Sequence, residues 1–494
     1  MSKGLLAIPS DIIILVMYFL NAKDLAALEC TCRELFHLVE EYGWTINLKS
    51  HPRPAFSLRK TFKLWSTKEQ VRYSTITDHN WDNAEFIARP LSNRWAGKLQ
   101  PILAINSSRL LLAAGNKIYS YSFIPSPSAR APSVHLECIY STSNVVHPNL
   151  DITSIVCIPD DGLDRTVYVG YANGILERLV LPSVRDGHDG SVPVESLLKE
   201  TFNFHADDLI ESLSASSTHL LTLSASGNAV YFPLASPHPE PEFLHLNTRS
   251  WSAHLSTRSS SPYAAFGMSS MNPLVVHDIL PSGLSPTPST FLAPFIDTGR
   301  PSAVYAIDEA PPAAPWGASD QVLVSGWYNG VVNVYDLRAP TRPFSQTLGP
   351  PSLRPSLHFE DPWSDEPIYS LSCGGGSGAH IAAGSARHSV VAFFDVRAPA
   401  KGWSVHAPGN DSSPVYSVIV DGSRVFGANQ SRGFVFDFGP GVQEDTYPAV
   451  SESLPTTRPG RGQRQPFGNL LKRSTKHPAG FYVTKYGHSR ERGW

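Results

Sequence analysis

The chain predicts a mostly β fold, a seven-bladed β-propeller preceded by a small N-terminal three-helix unit. Three observations predict it. One strand–turn–strand unit recurs seven times within residues 99–441. The composition is that of a globular, turn-rich chain: 41% hydrophobic, 17% charged, with 42 Pro and 35 Gly. The first residues, up to 48, instead carry apolar side chains at helical spacing.

Pro9-Ser10-Asp11 opens the first helix, with Pro and an acidic residue in its first turn. Ile12, Leu15, Val16 and Phe19 form one apolar stripe, and Ile13, Met17 and Leu20 form another on the opposite side. A helix apolar all round must be covered all round. Asn21 caps a second helix with Asp24 three residues on, and Thr31-Cys32-Arg33-Glu34 reads as a capping box for a third that ends near Trp44. So small a unit cannot cover both stripes itself. Either the β domain or a partner must do so.

Ile8-Pro9-Ser10-Asp11-Ile12-Ile13, Tyr18-Phe19-Leu20, Lys23-Asp24-Leu25, Leu28 and Thr31-Cys32-Arg33, ending at Trp44, together resemble the F-box. Ile8 departs from the family's usual Leu, conservatively. The resemblance implies docking on a Skp-type adaptor and, through it, on cullin and RING subunits. Carried over by position, Ile8, Pro9, Ile12, Leu15, Phe19 and Leu20 would lie at that interface.

The repeated unit comprises 110–123, 167–181, 220–234, 263–279, 322–337, 381–396 and 425–438, each preceded by a further strand. Hairpin-type turns sit at Gly115-Asn116, Asn173-Gly174, Gly227-Asn228 and Asn329-Gly330. The endings Tyr335-Asp336-Leu337-Arg338, Phe394-Asp395-Val396-Arg397 and Phe436-Asp437-Phe438 resemble the Trp-Asp ending of WD repeats, with Tyr or Phe for Trp. His205 and His147 stand where that family places its Gly-His pair. Six or eight blades remain open beside seven. The whole resembles the F-box/WD-repeat proteins, in particular the F-box/WD-repeat protein 4-like group. The domains expected are an F-box at 1–48, a partly helical linker at 49–98, the propeller at 99–441, and a Pro/Gly/Arg-rich tail at 442–494 whose stretch 481–486 is a candidate closing strand.

The resemblance implies a non-catalytic substrate receptor of a ubiquitin ligase; the alternative is a propeller scaffold that presents no degradation substrate. Loops on one propeller face would place Trp327, Tyr328, Arg387, His388, Arg432 and Tyr171 around the substrate, with Arg94, Arg249 and Arg300 beside them. Related F-box propellers hold phosphorylated peptides through such arginines, but Asp207, Asp208 and Asp365 are expected on the same face, so the charge is mixed. No catalytic or metal residue is expected. The five cysteines are scattered, the 18 histidines show no paired metal spacing, and 374–378 lacks the lysine of a phosphate loop. No cofactor is expected. A net charge of −3 gives no pull toward nucleic acid. The apolar run 12–20 falls short of the about 20 residues a membrane span needs, so a cytoplasmic or nuclear protein is expected.

Overall fold

The computed structural model describes residues 8–127, 130–142, 148–183, 191–193, 197–234, 240–296, 298–313, 318–340, 351–409, 412–450, 472–473 and 479–488. Helices come first: α1 (Ser10–Met17), α2 (Ala22–Glu29), α3 (Arg33–Leu38), α4 (Trp44–Ser50), α5 (Arg59–Phe62) and α6 (Thr67–Asp82). None of the described helices is long and apolar enough to cross a membrane.

Asn21 caps α2, accepting from Lys23 N at 2.9 Å and Asp24 N at 3.0 Å while Asp24 accepts from Asn21 N. Thr31 does not cap α3. Its hydroxyl donates to Leu28 O at 2.7 Å and so finishes α2. Nor does the third helix end at Trp44: a π turn, Val39–Gly43, carries it into α4. Gly43 permits this passage, since a Cβ there would come within 3.2 Å of the Leu25 and Val39 side chains. Ile13, Met17, Leu25, Leu35, Val39, Trp44 and Ile46 form the helical core, completed by Val71 from α6. The helical unit therefore continues past residue 48 into the linker.

All seven expected strand pairs form, each with the strand that precedes it. The chain is mostly β, in small antiparallel sheets. Fourth strands not read from the sequence extend these groups, for example Ser133–Ser141, Leu198–Phe202, Glu242–His245 and Gly402–His406. The ten-stranded sheet joins two groups where Ser269 and Ser270 pair with Ala303 and Ser302. The first strands lie side by side in chain order, and Val415–Asp421 returns to Ile102–Ile105, with Leu103 N donating to Ser417 Oγ at 3.2 Å.

Two local devices recur. At the Asp endings, the Asp336 carboxylate accepts from Arg338 N at 3.0 Å and from its guanidinium at 2.8 Å; Asp395 holds Arg397 likewise at 2.9 and 2.7 Å. Each is an Asx-type turn that ends a strand. The second device is a bulge near the start of the first strand, between Ile152 and Ser154, Ile210 and Ser212, Ser250 and Ser252, Val304 and Ala306, Ile368 and Ser370, and Val415 and Ser417. The small residue after the bulge faces glycine in four of these sheets: Gly170, Gly267, Gly326 and Gly384. At Gly384 a Cβ would meet the Ser370 hydroxyl and come within 2.8 Å of Val415 from the next sheet. The glycines thus let neighbouring sheets approach closely.

The linker packs on the sheets and contributes a strand. Leu58, Trp65 and Tyr73 cluster there; Tyr73 OH lies 2.9 Å from Ser423 Oγ, and Trp65 Nε1 donates to Ser126 O at 2.8 Å. Trp81 stacks on Phe438 at 3.8 Å, and the glycine run is shaped around it: a Cβ on Gly375 would lie 2.5 Å from the indole. Ile87–Pro90 then pairs antiparallel with Gly433–Asp437 at the outer edge of the last sheet, where Pro90 needs no ladder donor. The tail strand sits elsewhere than expected: Thr484–Gly487 adds to Gly402–His406 and widens the preceding sheet. Of the tail's basic run, Arg458, Arg461 and Arg464 lie outside the described residues, as does His147.

Candidate functional site

The first candidate surface is α1. Its alternation of apolar positions splits as the stripes demand: Ile13 and Met17 are buried, while Ile12, Leu15 and Val16 stand out and Phe19 is 88% exposed. Ile8 and Pro9 are also exposed, and Leu20 is half-buried. No charged side chain breaks the patch from Ile12 to Phe19 except Asp11 at its start. Scattered apolar residues on a surface are ordinary, but a contiguous helical stripe is not.

The second surface lies where turns between second and third strands rest on the segments leading into first strands, of their own sheet in three of the contacts that follow and of the next sheet in the Ser250–Ala225 contact. Ala172 N donates to Asp151 O at 3.0 Å, Ser250 N to Ala225 O at 3.0 Å, Tyr328 N to Ala303 O at 2.9 Å, and Ala386 N to Pro367 O at 2.8 Å. Three residues expected on this rim are not available to a partner. Trp327 is 1% exposed and donates to Ser325 Oγ; Tyr171 is buried with its hydroxyl on Glu177 at 2.8 Å; Arg432 is fully buried beside Gly409. The reason is position: Trp327 and Tyr171 are the last residues of strands buried along their whole length, whereas Tyr328 is the first residue of the turn that follows. Tyr328, Arg387 and His388 are exposed.

What the sequence reading missed is the set of residues the bulges re-aim. Each bulge leaves one residue out of the ladder: Thr153, Glu211, Trp251, Tyr305, Tyr369 and Tyr416 in turn. Four of these are aromatic, half-buried, and in contact. Trp251 and Tyr305 rings lie 4.9 Å apart at 68°, Tyr305 and Tyr369 5.1 Å apart at 61°, and Tyr369 and Tyr416 6.0 Å apart at 31°. Exposed Tyr328 approaches Tyr305 at 6.5 Å. Ion pairs flank this arc. Arg249 Nη2 reaches Glu211 Oε2 at 2.7 Å while its guanidinium covers Trp251 at 3.6 Å, and Arg387 pairs with Glu366 at 3.6 Å. Burial raises the Tyr305 and Tyr369 phenols above their ordinary value, so both stay protonated and neutral. The tripeptides apolar–x–small, such as Ile368-Tyr369-Ser370 and Val415-Tyr416-Ser417, carry the signal in the sequence.

Two polar clusters look like chemistry and serve structure. Asp82, His380 and Asp395 converge, but the Arg397 guanidinium bonds to both carboxylates, at 3.1 and 2.7 Å, and supplies the positive charge itself. Ser404, His488 and Asp361 meet at 2.9 Å (Ser404 Oγ to His488) and 2.7 Å (Ser404 Oγ to Asp361), with Tyr486 OH also on Asp361 at 2.8 Å. Ser404 is fully buried and its hydroxyl already donates to the carboxylate, so the network pins the tail strand and offers no nucleophile. No family model matches the chain, and no curated protein matches it.

Proposed function

We propose that this chain is the substrate-recognising subunit of a Skp–cullin–F-box ubiquitin ligase, an F-box joined to a seven-bladed WD-repeat β-propeller. The observation that carries the reading is α1, a helix with one apolar side packed and the other, Ile12, Leu15, Val16 and Phe19, open. The Skp-type adaptor would cover that side and link the chain to cullin and RING subunits. The propeller reading is supported by the side-by-side first strands that return to the first, and by the Asp-ended third strands. The chain would do no chemistry of its own. It would hold a substrate protein, phosphorylated or not, within reach of the ubiquitin-loaded enzyme, a contribution of proximity.

Co-purification with the Skp adaptor tests this. Wild type is expected to form a stoichiometric complex, and the Pro9→Ala, Phe19→Ala double variant to lose it. A folded wild type that captures no adaptor sinks the ligase reading and leaves a propeller scaffold.

A further inference from the structure

We propose that the arc Trp251–Tyr305–Tyr369–Tyr416 binds a neutral, proline-rich, extended segment of a partner protein. This rests on the reading that the rim is the partner-binding face and names what that face recognises.

The arc's position argues for a binding role. Bulges set these side chains out of register with the ladder, and each ring stays half-buried instead of entering a core between sheets. The charge argues for the ligand's neutrality. Arg249 is occupied by Glu211 and Trp251, and Arg387 faces Glu366, so each arginine that flanks the arc is already matched by a carboxylate. What it offers is flat aromatic faces and hydroxyl donors. The Tyr305, Tyr328 and Tyr369 hydroxyls have no acceptor among the described residues, whereas Tyr416 OH is engaged by Gln430 at 3.2 Å.

Proline supplies the complement. Its ring packs on aromatic faces, its carbonyl accepts from phenols, and it brings no N–H that would need an acceptor the arc lacks. The steps of 4.9, 5.1 and 6.0 Å along the arc match the length of about five residues of polyproline II at about 3.1 Å each. Trp251 and Tyr369 each meet Tyr305 edge to face, which leaves no cage between these rings for a bulky cation and favours a ligand lying across them.

Fluorescence anisotropy of the full chain with a fluorescein-labelled Pro-Pro-Ala repeat peptide tests the proposal. Saturable binding is expected, with Tyr305→Ala and Tyr369→Ala each weakening it about tenfold or more. Tyr369→Phe, which removes only the donor, should cost about two- to tenfold. Thermal melts identify any variant that does not fold; exposed Tyr328→Ala then serves in its place, with a loss of about threefold expected. The proposal is overturned by no saturable binding, by equal binding of a Gly-Ser peptide of the same length, or by arc variants that bind as wild type does. Tighter, salt-sensitive binding of an arginine-bearing peptide would overturn it in favour of a cation site. Adaptor co-purification on the same preparation separates the two readings. Adaptor capture without peptide binding refutes this inference alone; peptide binding without adaptor capture supports it and refutes the ligase reading.

Discussion

At Gly384 the space for a side chain is already taken by Ser370 within its own sheet and Val415 in the next. Gly384→Ala should therefore cost about 1–3 kcal/mol by overpacking and lower the midpoint of thermal unfolding; an unchanged midpoint would show that the sheets part easily. His205 gives a pH handle. It is buried, bonded to Thr222 Oγ1 at 2.7 Å, and burial pushes its imidazole down to about 4 against a weak opposing pull from Asp208. The folded state thus favours the neutral ring, while the unfolded chain takes a proton near the ordinary value of about 6.5. The stability this gives is complete above that value and is lost as pH falls toward about 4. Wild type should lose more stability than His205→Gln between neutral pH and pH of about 5, read by urea unfolding at each pH. Equal losses would mean that the ring is hydrated in the folded chain.

At the scale of elements, α6 and the strand after it join the helical unit to the sheets. Trp81 is 1% exposed, stacked on Phe438 and in edge contact with Phe393 at 5.7 Å. Trp81→Ala should cost about 3–5 kcal/mol and lower the unfolding midpoint sharply, whereas a small shift would indicate that the linker docks only through its polar contacts. Much of this level was legible. The second and third strands announce themselves by short apolar runs on either side of a tight-turn glycine, as in Val322–Trp327 and Val331–Asp336. The fourth strands do not, because outer strands such as Leu198–Phe202 are mostly exposed and carry little apolar signal. The linker strand Ile-Ala-Arg-Pro hides for a similar reason: it is four residues long and ends in a residue that strands usually reject. The rim of turns was half legible. The turns lie where the glycines and asparagines indicate, but the boundary between strand and turn is not legible to a single residue, and Trp327 and Tyr171 fall on its buried side.

For the molecule as a whole, stability and the proposed adaptor binding should separate cleanly. Phe19 touches little of its own chain, so Phe19→Ala should change unfolding free energy by less than about 0.5 kcal/mol. The same change should abolish adaptor capture in combination with Pro9→Ala; a large loss of stability would instead mean that the residue has a partner within the chain. The aromatic arc and α1 draw on different parts of the sequence, so variants in one should leave the readout of the other unchanged. The linker strand has a further consequence, for biosynthesis. Ile87–Pro90 leaves the ribosome ahead of every strand of the sheets, yet its partner Gly433–Asp437 is among the last to emerge. Throughout translation the early strand must wait unpaired, with its backbone groups open to adventitious pairing. Its brevity, and the arginine and proline it carries, make it a poor template for aggregation during that wait.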